Sequence, residues 1–392
     1  MIASSRFVKA LEPYRDKGIA IALSGGPDST ALAHFCAEAL GGWQELFLFV
    51  VDHGVRSDST REAERVRARF AALGANVQIL GLNAGILAGY DHAALRQARY
   101  QALANACRRE GLGLLLTAHH QDDQIETLLE RLSRGSGFLG LCGIREWRVL
   151  DANIGLYRPF LAVHKAELVY WLKARGISYE NDPSNTKLDT ARGVWRILRQ
   201  QSRSEFSDSK LIALRQSAEA LRIKLEKEVL VIFKGAKVHA SGTLIIPGAK
   251  RQNSLTLCVL LRYASAVLAH TVSLPSLEDF LPQVKNQGQR GNIIWSWQGE
   301  DLFISIDSRS VHKVYGAGYK ALHKKGWQSL PSCAKASLQD LPYIHRLSAL
   351  YDCENNKLVV ARQKNPLLKD YLGLFPLVID AINLSLLLQS VR

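Results

Sequence analysis

Between Ile19 and Thr30 the chain reads IAIALSGGPDST, and no other stretch limits the fold as narrowly. Residues 19–23 are an unbroken apolar run, short and sharply bounded, which predicts a strand buried on both faces. Ser24, Gly25, Gly26, Pro27 and Asp28 then turn the chain. From Ser29 onward Leu32, Phe35, Cys36 and Leu40 recur at helical spacing. Strand, glycine turn and helix start together make an anion site, because the first N–H groups of a helix are unpaired and its dipole favours negative charge there. Glycines without Cβ atoms let the backbone come close to a phosphate. No Gly-Lys-Ser/Thr follows and no GxGxxG is present, which excludes the two commoner phosphate loops.

Further apolar runs at residues 46–51, 77–80 and 112–118 alternate with helical patterns, a long one covering residues 91–110 and carrying Arg96, Arg99 and Tyr100. Strands alternating with helices predict an α/β domain with a doubly wound, mostly parallel sheet, whose ligands bind at the carboxyl ends of the strands. At those ends lie Val51, Asp52 and His53 after the second run, and His119, His120, Asp122, Asp123 and Glu126 after the fourth. Asp123 and Glu126 are three apart and share a helix face. Two carboxylates beside a phosphate loop suit a Mg²⁺ that keeps most of its waters. A zinc or iron site is the sharper alternative, since two His and two Asp are sufficient ligands, but adjacent histidines do not share a helix face. Gly135, Ser136, Gly137 and Gly140 predict a flexible loop, consistent with a lid. A helix is expected over residues 164–175. A basic helix follows, with Arg192, Arg196, Arg199 and Arg203 in one stripe, either a solvated face or a phosphate track.

Charge bears on partners. Lys and Arg total 50 against 36 Asp and Glu, a formal charge of +14, and the surplus is larger beyond residue 204 than before it. That points to a polyanion, nucleic acid first, with a partnerless basic surface as the plain alternative. Cys36, Cys107, Cys142, Cys258, Cys333 and Cys353 include no CxxC pair, which argues against zinc ribbons and iron–sulfur clusters and suits a reducing cytosol. No apolar leader opens the chain and no stretch approaches ~20 apolar residues, so a cytoplasmic protein without membrane contact is expected. Beyond residue 205, helical patterns cover residues 210–231 and 255–268. Alternation in 292–306 around Gly299 predicts a hairpin, and 358–360 a short strand.

Seven segments then combine. SGGPDS (24–29), VDHGVR (51–56), RQARY (96–100), TAHHQDDQIET (117–127), RGSGFLGL (134–141), RPF (158–160) and DPSN (182–185) fall in the order and approximate spacing of the tRNA(Ile)-lysidine synthases, PP-loop proteins of the N-type ATP pyrophosphatase group. The resemblance spans about the first 200 residues. The related tRNA thiolation enzymes carry a cysteine pair that is missing here. One departure stands out: the family reads Arg-Asn after DxSN, whereas here Arg192 is followed by Gly193, with Arg196 retained.

The resemblance implies a catalytic domain over residues 1–204, a mainly helical tRNA-binding domain over 205–290 and a small α+β tRNA-binding domain over 291–392. It implies an ATP-dependent ligase that joins free L-lysine to the wobble cytidine of a tRNA(Ile) with a CAU anticodon, using ATP and Mg²⁺. Oligomeric state is left open, a homodimer included. Ser24, Gly25, Gly26, Pro27, Asp28 and Ser29 are expected to hold pyrophosphate, and Val51, Asp52 and His53 to lie against the nucleoside. Asp28 and Asp123 are the expected metal ligands. Asp28, Arg99, Asp123, Glu126 and Arg192 are the expected catalytic group, with Glu126 orienting or deprotonating the lysine. Another PP-loop enzyme, such as a sulfur transferase or a small-molecule amidating synthetase, and a non-catalytic RNA-binding protein with a relict loop are the competing readings.

Overall fold

The structure is a computed structural model and describes residues 5–16, 18–52, 54, 59–82, 92–151, 154–180, 207–239, 243–269, 277, 280–307, 319–321, 350–352 and 357–358. His53, the segment 182–185, Arg192, Gly193, Arg196, Arg199 and Arg203 lie outside these residues. Two compact units divide the chain. One contains Met1–Ser136 and Gly140–Gln216, the other Gly137–Leu139 and Ser217–Leu386.

The first unit is built on six strands, β1 (Ile19–Leu23), β2 (Leu46–Asp52), β3 (Asn76–Gly81), β4 (Leu114–Leu116), β5 (Trp147–Asp151) and β6 (Ile154–Tyr157), in the order β3-β2-β1-β4-β6-β5. All neighbours are parallel except β5, an antiparallel edge strand. Its helices are α1 (Ser5–Leu11), α2 (Pro27–Leu40), α3 (Ser59–Ala71), α4 (His92–Arg109), α5 (Gln121–Ser133), α6 (Phe138–Leu141) and α7 (Lys165–Ala174), with α8 (Asp208–Lys234) beginning in this unit. By the division above, Phe138 and Leu139 of α6 count with the second unit.

The alternation of β1 explains the two layers. Ile19, Ile21 and Leu23 pack with Leu32 and Phe35 of α2, Val66 and Phe70 of α3, and Leu168 and Leu172 of α7. Ala20 and Ala22 point the other way and join Phe49 with Leu103, Ala106 and Cys107 of α4. Each strand residue therefore has a hydrophobic neighbour on its own side, and the buried run needs no polar face. Strand order reverses between β1 and β4, so the switch point, where open α/β sheets bind ligands, lies between the loops that leave those two strands.

Two expectations are corrected here. The apolar run 112–118 yields only three ladder residues. The Leu112 N–H is committed to Cys107 O in the turn that ends α4, and Thr117 begins the next turn through its hydroxyl, 3.0 Å from His119 Nδ1. The glycine-rich stretch expected as a flexible lid carries the short helix α6. Arg131 Nη1 donates to Gly140 O (2.5 Å) and Gly143 O (3.0 Å), and the Gln124 side chain pairs with both backbone groups of Ile144 at 2.7 Å. Those bonds tie the segment down.

His34 on α2 offers a stability test. Its ring meets Trp43 edge-on (centroids 4.8 Å apart) and Phe70 at 5.9 Å. Burial, and then the nearby Arg69 charge, lower its pKa below the ordinary histidine value. A depressed folded-state pKa means the unfolded chain takes the proton first as pH falls. The contribution is complete above the unfolded pKa of about 6.5 and is lost as pH drops below it. His34→Phe is therefore expected to flatten the dependence of melting temperature on pH between 7 and 5. Parallel curves for the two proteins would contradict this.

In the second unit a five-stranded antiparallel sheet takes β7 (Lys237–Val238), β8 (Leu244–Ile246), β9 (Gly288–Arg290), β10 (Ile293–Gln298) and β11 (Asp301–Ile306) in the order β7-β8-β11-β10-β9. The expected hairpin around Gly299 is the β10–β11 pair. Because β8 pairs with β11, this sheet draws strands from both sides of residue 290. The helix α9 (Ser254–Ala269) covers it through Leu257, Leu260 and Leu261, packed with Trp295 and Ile304. Arg222 is buried on α8, but Glu219 and Glu226 pair with it and the Tyr263 hydroxyl closes the network on Glu226. A second, three-stranded sheet joins β12 (Tyr319–Ala321), β13 (Leu350–Asp352) and β14 (Lys357–Leu358). Among the described residues no helix is long and apolar enough to cross a membrane.

Candidate active site

The loop after β1 is held by its own side chains. Gly26 is the N-cap of α2 in extended geometry and Pro27 fills the first helical position, where an N–H is not needed. Ser29 Oγ accepts from the Ser24 N–H (3.1 Å) and lies 3.0 Å from Ser24 Oγ, closing the turn on itself. Gly25 has φ +78, and a Cβ there would run into Val66 Cγ2. Three donors converge on its carbonyl: the Glu180 N–H (2.9 Å), the Thr30 hydroxyl (3.1 Å) and Arg69 Nη2 (3.4 Å). With that carbonyl held by three donors, the loop backbone is fixed at the start of α2, where a helix N-terminus favours an anion.

The loop after β4 meets this one at the switch point. His120 is the N-cap of α5 and forms a reciprocal pair with Asp123: its N–H donates to Asp123 Oδ2 (2.9 Å) and its Nδ1 accepts from the Asp123 N–H (3.4 Å). With Nδ1 accepting, the proton of the neutral ring sits on Nε2. That nitrogen lies 3.6 Å from Asp28 Oδ2 and 3.5 Å from Asp123 Oδ2, so one imidazole stands between the two carboxylates. Asp122 lies on the other side, 3.7 Å from His120 Nδ1.

A third element completes the group. The α7 N-terminus, capped by His164, delivers the Lys165 N–H to Asp122 Oδ2 (2.9 Å), while Lys165 Nζ reaches Asp28 Oδ2 at 3.3 Å. Burial raises the pKa of Asp28, but His120, by hydrogen bond and charge, and then Lys165 outweigh it, and the carboxyl sits below the usual value. For His120, burial acts to lower the pKa. The carboxylates of Asp28, Asp123 and Asp122 reverse that and hold it above the ordinary value. Asp28 Oδ1 is buried with no hydrogen-bond partner among the described residues. An acceptor oriented inward without a donor suits a cation.

The structure thus brings Ser24–Ser29 and Asp28 together with Asp123. Glu126 lies one turn along the same helix as Asp123 and is almost fully enclosed, 2% exposed. Asp52 ends β2, and its carboxylate accepts from the Gly54 N–H (2.9 Å) and the Thr60 hydroxyl (2.7 Å). Val51 precedes it in the strand. Arg99 is on α4, the helix that packs on the opposite face of the sheet from α2. His53 and Arg192 lie outside the described residues. Among the described residues no three His, Cys, Asp or Glu side chains are disposed to hold a metal ion on their own. Sequence reasoning named His120 and Asp122 only as possible zinc or iron ligands, and passed over Lys165 and Arg69 as site residues. His120 was in plain view inside TAHHQDD, but Lys165 carries no local signal, because its role depends on where the start of α7 lands.

The ATP_bind_3 family model, a PP-loop domain, matches residues 1–201. A tRNA(Ile)-lysidine synthase of Bradyrhizobium diazoefficiens is 38% identical over 54% of this chain and 59% of its own length. One from Methylobacterium nodulans is 34% identical over 70% of this chain and 84% of its own. A third, from Novosphingobium aromaticivorans, is 40% identical over 47% and 56%. The chain thus spans less than two thirds of the length of the Bradyrhizobium relative.

Proposed function

Because the chain belongs to the tRNA(Ile)-lysidine synthase family of PP-loop proteins, we propose that it joins L-lysine to C2 of the wobble cytidine in a tRNA(Ile) with a CAU anticodon, consuming ATP. The single observation that carries the reading is the meeting of the phosphate loop with Asp28, His120 and Asp123 at one switch point. Cytosine O2 is a poor leaving group. Attack of that oxygen on the α-phosphorus of ATP releases pyrophosphate and leaves the base adenylated. The lysine ε-amine then attacks C2, the C2–O bond breaks, AMP departs and the ammonium proton is lost.

Each step asks something of these residues. The loop Ser24–Ser29 receives the departing pyrophosphate with oriented amides, which cost no reorganisation as charge develops. Val51, Asp52 and His53 belong against the nucleoside. Asp28, with its unpartnered buried oxygen, and Asp123 are the residues fitted to hold Mg²⁺. Bound there, the ion would neutralise phosphate charge. Arg99 and Arg192 are assigned to phosphate or the activated base. Free lysine, with a pKa of about 10.4, must lose a proton before it attacks, and Glu126 is assigned to that amine. The reactive cytosine must leave its stack, which an unpaired anticodon loop permits. The basic surplus beyond residue 204 supports a tRNA-gripping role for the C-terminal segments, in a soluble cytoplasmic enzyme.

Incubation of the full chain with labelled lysine, ATP, Mg²⁺ and tRNA(Ile) bearing a CAU anticodon tests this. Nucleoside analysis is expected to find the label on one modified cytidine, with pyrophosphate and AMP formed in equal amounts. Label-free RNA that has gained sulfur, or full turnover without RNA, would contradict it.

A further inference from the structure

The carboxyl edge of the first sheet has an order. The end of β2 carries Asp52, the end of β1 the phosphate loop, the end of β4 the acidic group around His120, and the end of β6 Arg158. Neighbouring strands are ~4.8 Å apart, so Arg158 enters about two strand spacings, roughly 10 Å, from the phosphate loop. It lies beyond the acidic group and on the side away from Asp52.

What gathers there is positive. Arg158 is 3% exposed; its Nη1 donates to Arg145 O (2.6 Å), while its Nε is buried with no hydrogen-bond partner among the described residues. Its guanidinium bonds the Tyr100 phenol. Arg96, one turn earlier on α4, reaches the same phenol through Nη2 at 3.4 Å and lies over the ring, 5.1 Å from its centroid. Arg99 adds a third cation beside Tyr100, and Arg148 a fourth near Arg158. The largest charge effects on Arg158, Arg99 and Tyr100 come from Arg96, Arg148 and one another. Burial opposes ionisation of the phenol, but Arg158, Arg96 and Arg99 together outweigh it and lower the Tyr100 pKa. Gathering and partly desolvating like charges costs free energy unless an anion offsets it. Arg222 in the second unit shows the contrast, since two glutamates pair with it.

We propose that Arg96, Tyr100 and Arg158 form an anion subsite that takes a phosphodiester of the RNA strand beside the reacting base. The assignment rests on the function proposed above. RNA is favoured over the nucleotide's own phosphates by position. The triphosphate belongs at the β1 loop with its nucleoside toward β2, whereas this cluster lies past the acidic group, on the side of the sheet away from β2. Arginine forks suit a phosphodiester, and Tyr100 between two of them fixes their spacing.

The test is equilibrium binding of an anticodon stem-loop RNA to the full chain, by fluorescence anisotropy across a salt series, together with titration of a non-hydrolysable ATP analogue. Arg96→Gln is exposed enough to fold normally. It is expected to weaken RNA binding roughly 5- to 10-fold and to reduce the slope of log K against log salt by about 0.7, the value for one single-strand phosphate. Nucleotide affinity should stay within about twofold. Arg158→Lys and Tyr100→Phe, checked for native melting, should shift RNA binding in the same direction. An unchanged salt slope, or loss of ATP-analogue binding in place of RNA binding, overturns the subsite. Lysine incorporation by the parent with an unchanged slope in the variants removes this proposal alone. A changed slope without lysine incorporation keeps the subsite and removes the product assignment. A parent protein that binds no RNA overturns both.

Discussion

Asp28→Ala is expected to lower tRNA-dependent pyrophosphate release by about 10³-fold while the protein still folds. The carboxylate sits where three requirements overlap. One oxygen faces Lys165 Nζ and His120 Nε2, and the other is buried without a donor among the described residues. Removing it deletes the cation-facing oxygen at the first turn of α2. It also leaves Lys165 free to swing, and loses electrostatic stabilisation of the order measured for single preorganised groups, about 10²–10³-fold or more. The stability cost is small by comparison. Lys165 is 40% exposed at its side chain and can return to water, and His120 keeps Asp123 and Asp122. Asp28→Asn separates shape from charge, because it preserves the side-chain outline and removes the negative charge. A comparable loss in that variant, with a melting temperature near that of the parent, assigns the effect to the charge. Near-normal pyrophosphate release in either variant would remove Asp28 from the chemistry.

Gly25→Ala should abolish nucleotide binding and also cost stability. The residue sits at φ +78, a conformation that costs an L-residue with a Cβ about 1–2 kcal/mol. The new methyl would also collide with Val66 Cγ2 and crowd Glu180 Cγ. Relief requires the loop to move, which takes the Gly25 carbonyl away from Glu180, Thr30 and Arg69 and turns the amides off the anion. A fall of more than about 100-fold in affinity for an ATP analogue is expected, with a lowered melting temperature. Gly26→Ala is the internal comparison. Its φ is −66, and only Ser24 Oγ, at 3.5 Å, approaches the position of its Cβ. It should therefore be far milder. Equal effects at the two glycines would mean that backbone geometry is not what the loop depends on.

Much of the first unit was legible because local pattern and tertiary demand agree there. A strand buried on both faces must read as a continuous apolar run, and residues 19–23 do. The glycine turn and the helix behind it followed from the same twelve residues, as did the place of Asp28. The ends of β4 were not legible. A run of apolar residues does not reveal that Leu112 spends its N–H on closing α4. The edge strand β5 was missed for a related reason: Trp147–Asp151 mixes charge with apolar residues and owes its place to Trp147 stacking on Tyr157, 4.1 Å between centroids. The glycine-rich segment after α5 read as a lid because glycine signals freedom, but Arg131 and Gln124 remove that freedom from a distance.

The site divides the same way. Asp28 and Asp123 were recognisable because each lies in the first turn of the helix that follows a strand. Lys165 and Arg158 were not, since their positions are set by the packing of α7 and the order of strands, neither of which is written locally. His120 lies between these cases. It was visible as a residue, but its position between Asp28 and Asp123 exists only once β1 and β4 stand side by side.

One crevice at the sheet's carboxyl edge underlies every role assigned above. Phosphorus NMR of a non-hydrolysable ATP analogue with Mg²⁺, titrated with the full chain and with Gly25→Ala and Asp28→Ala, probes it directly. The β- and γ-phosphorus signals should shift on binding to the parent, with Gly25→Ala losing the shift and Asp28→Ala losing its dependence on Mg²⁺. Unchanged shifts in both variants would mean that the triphosphate binds elsewhere.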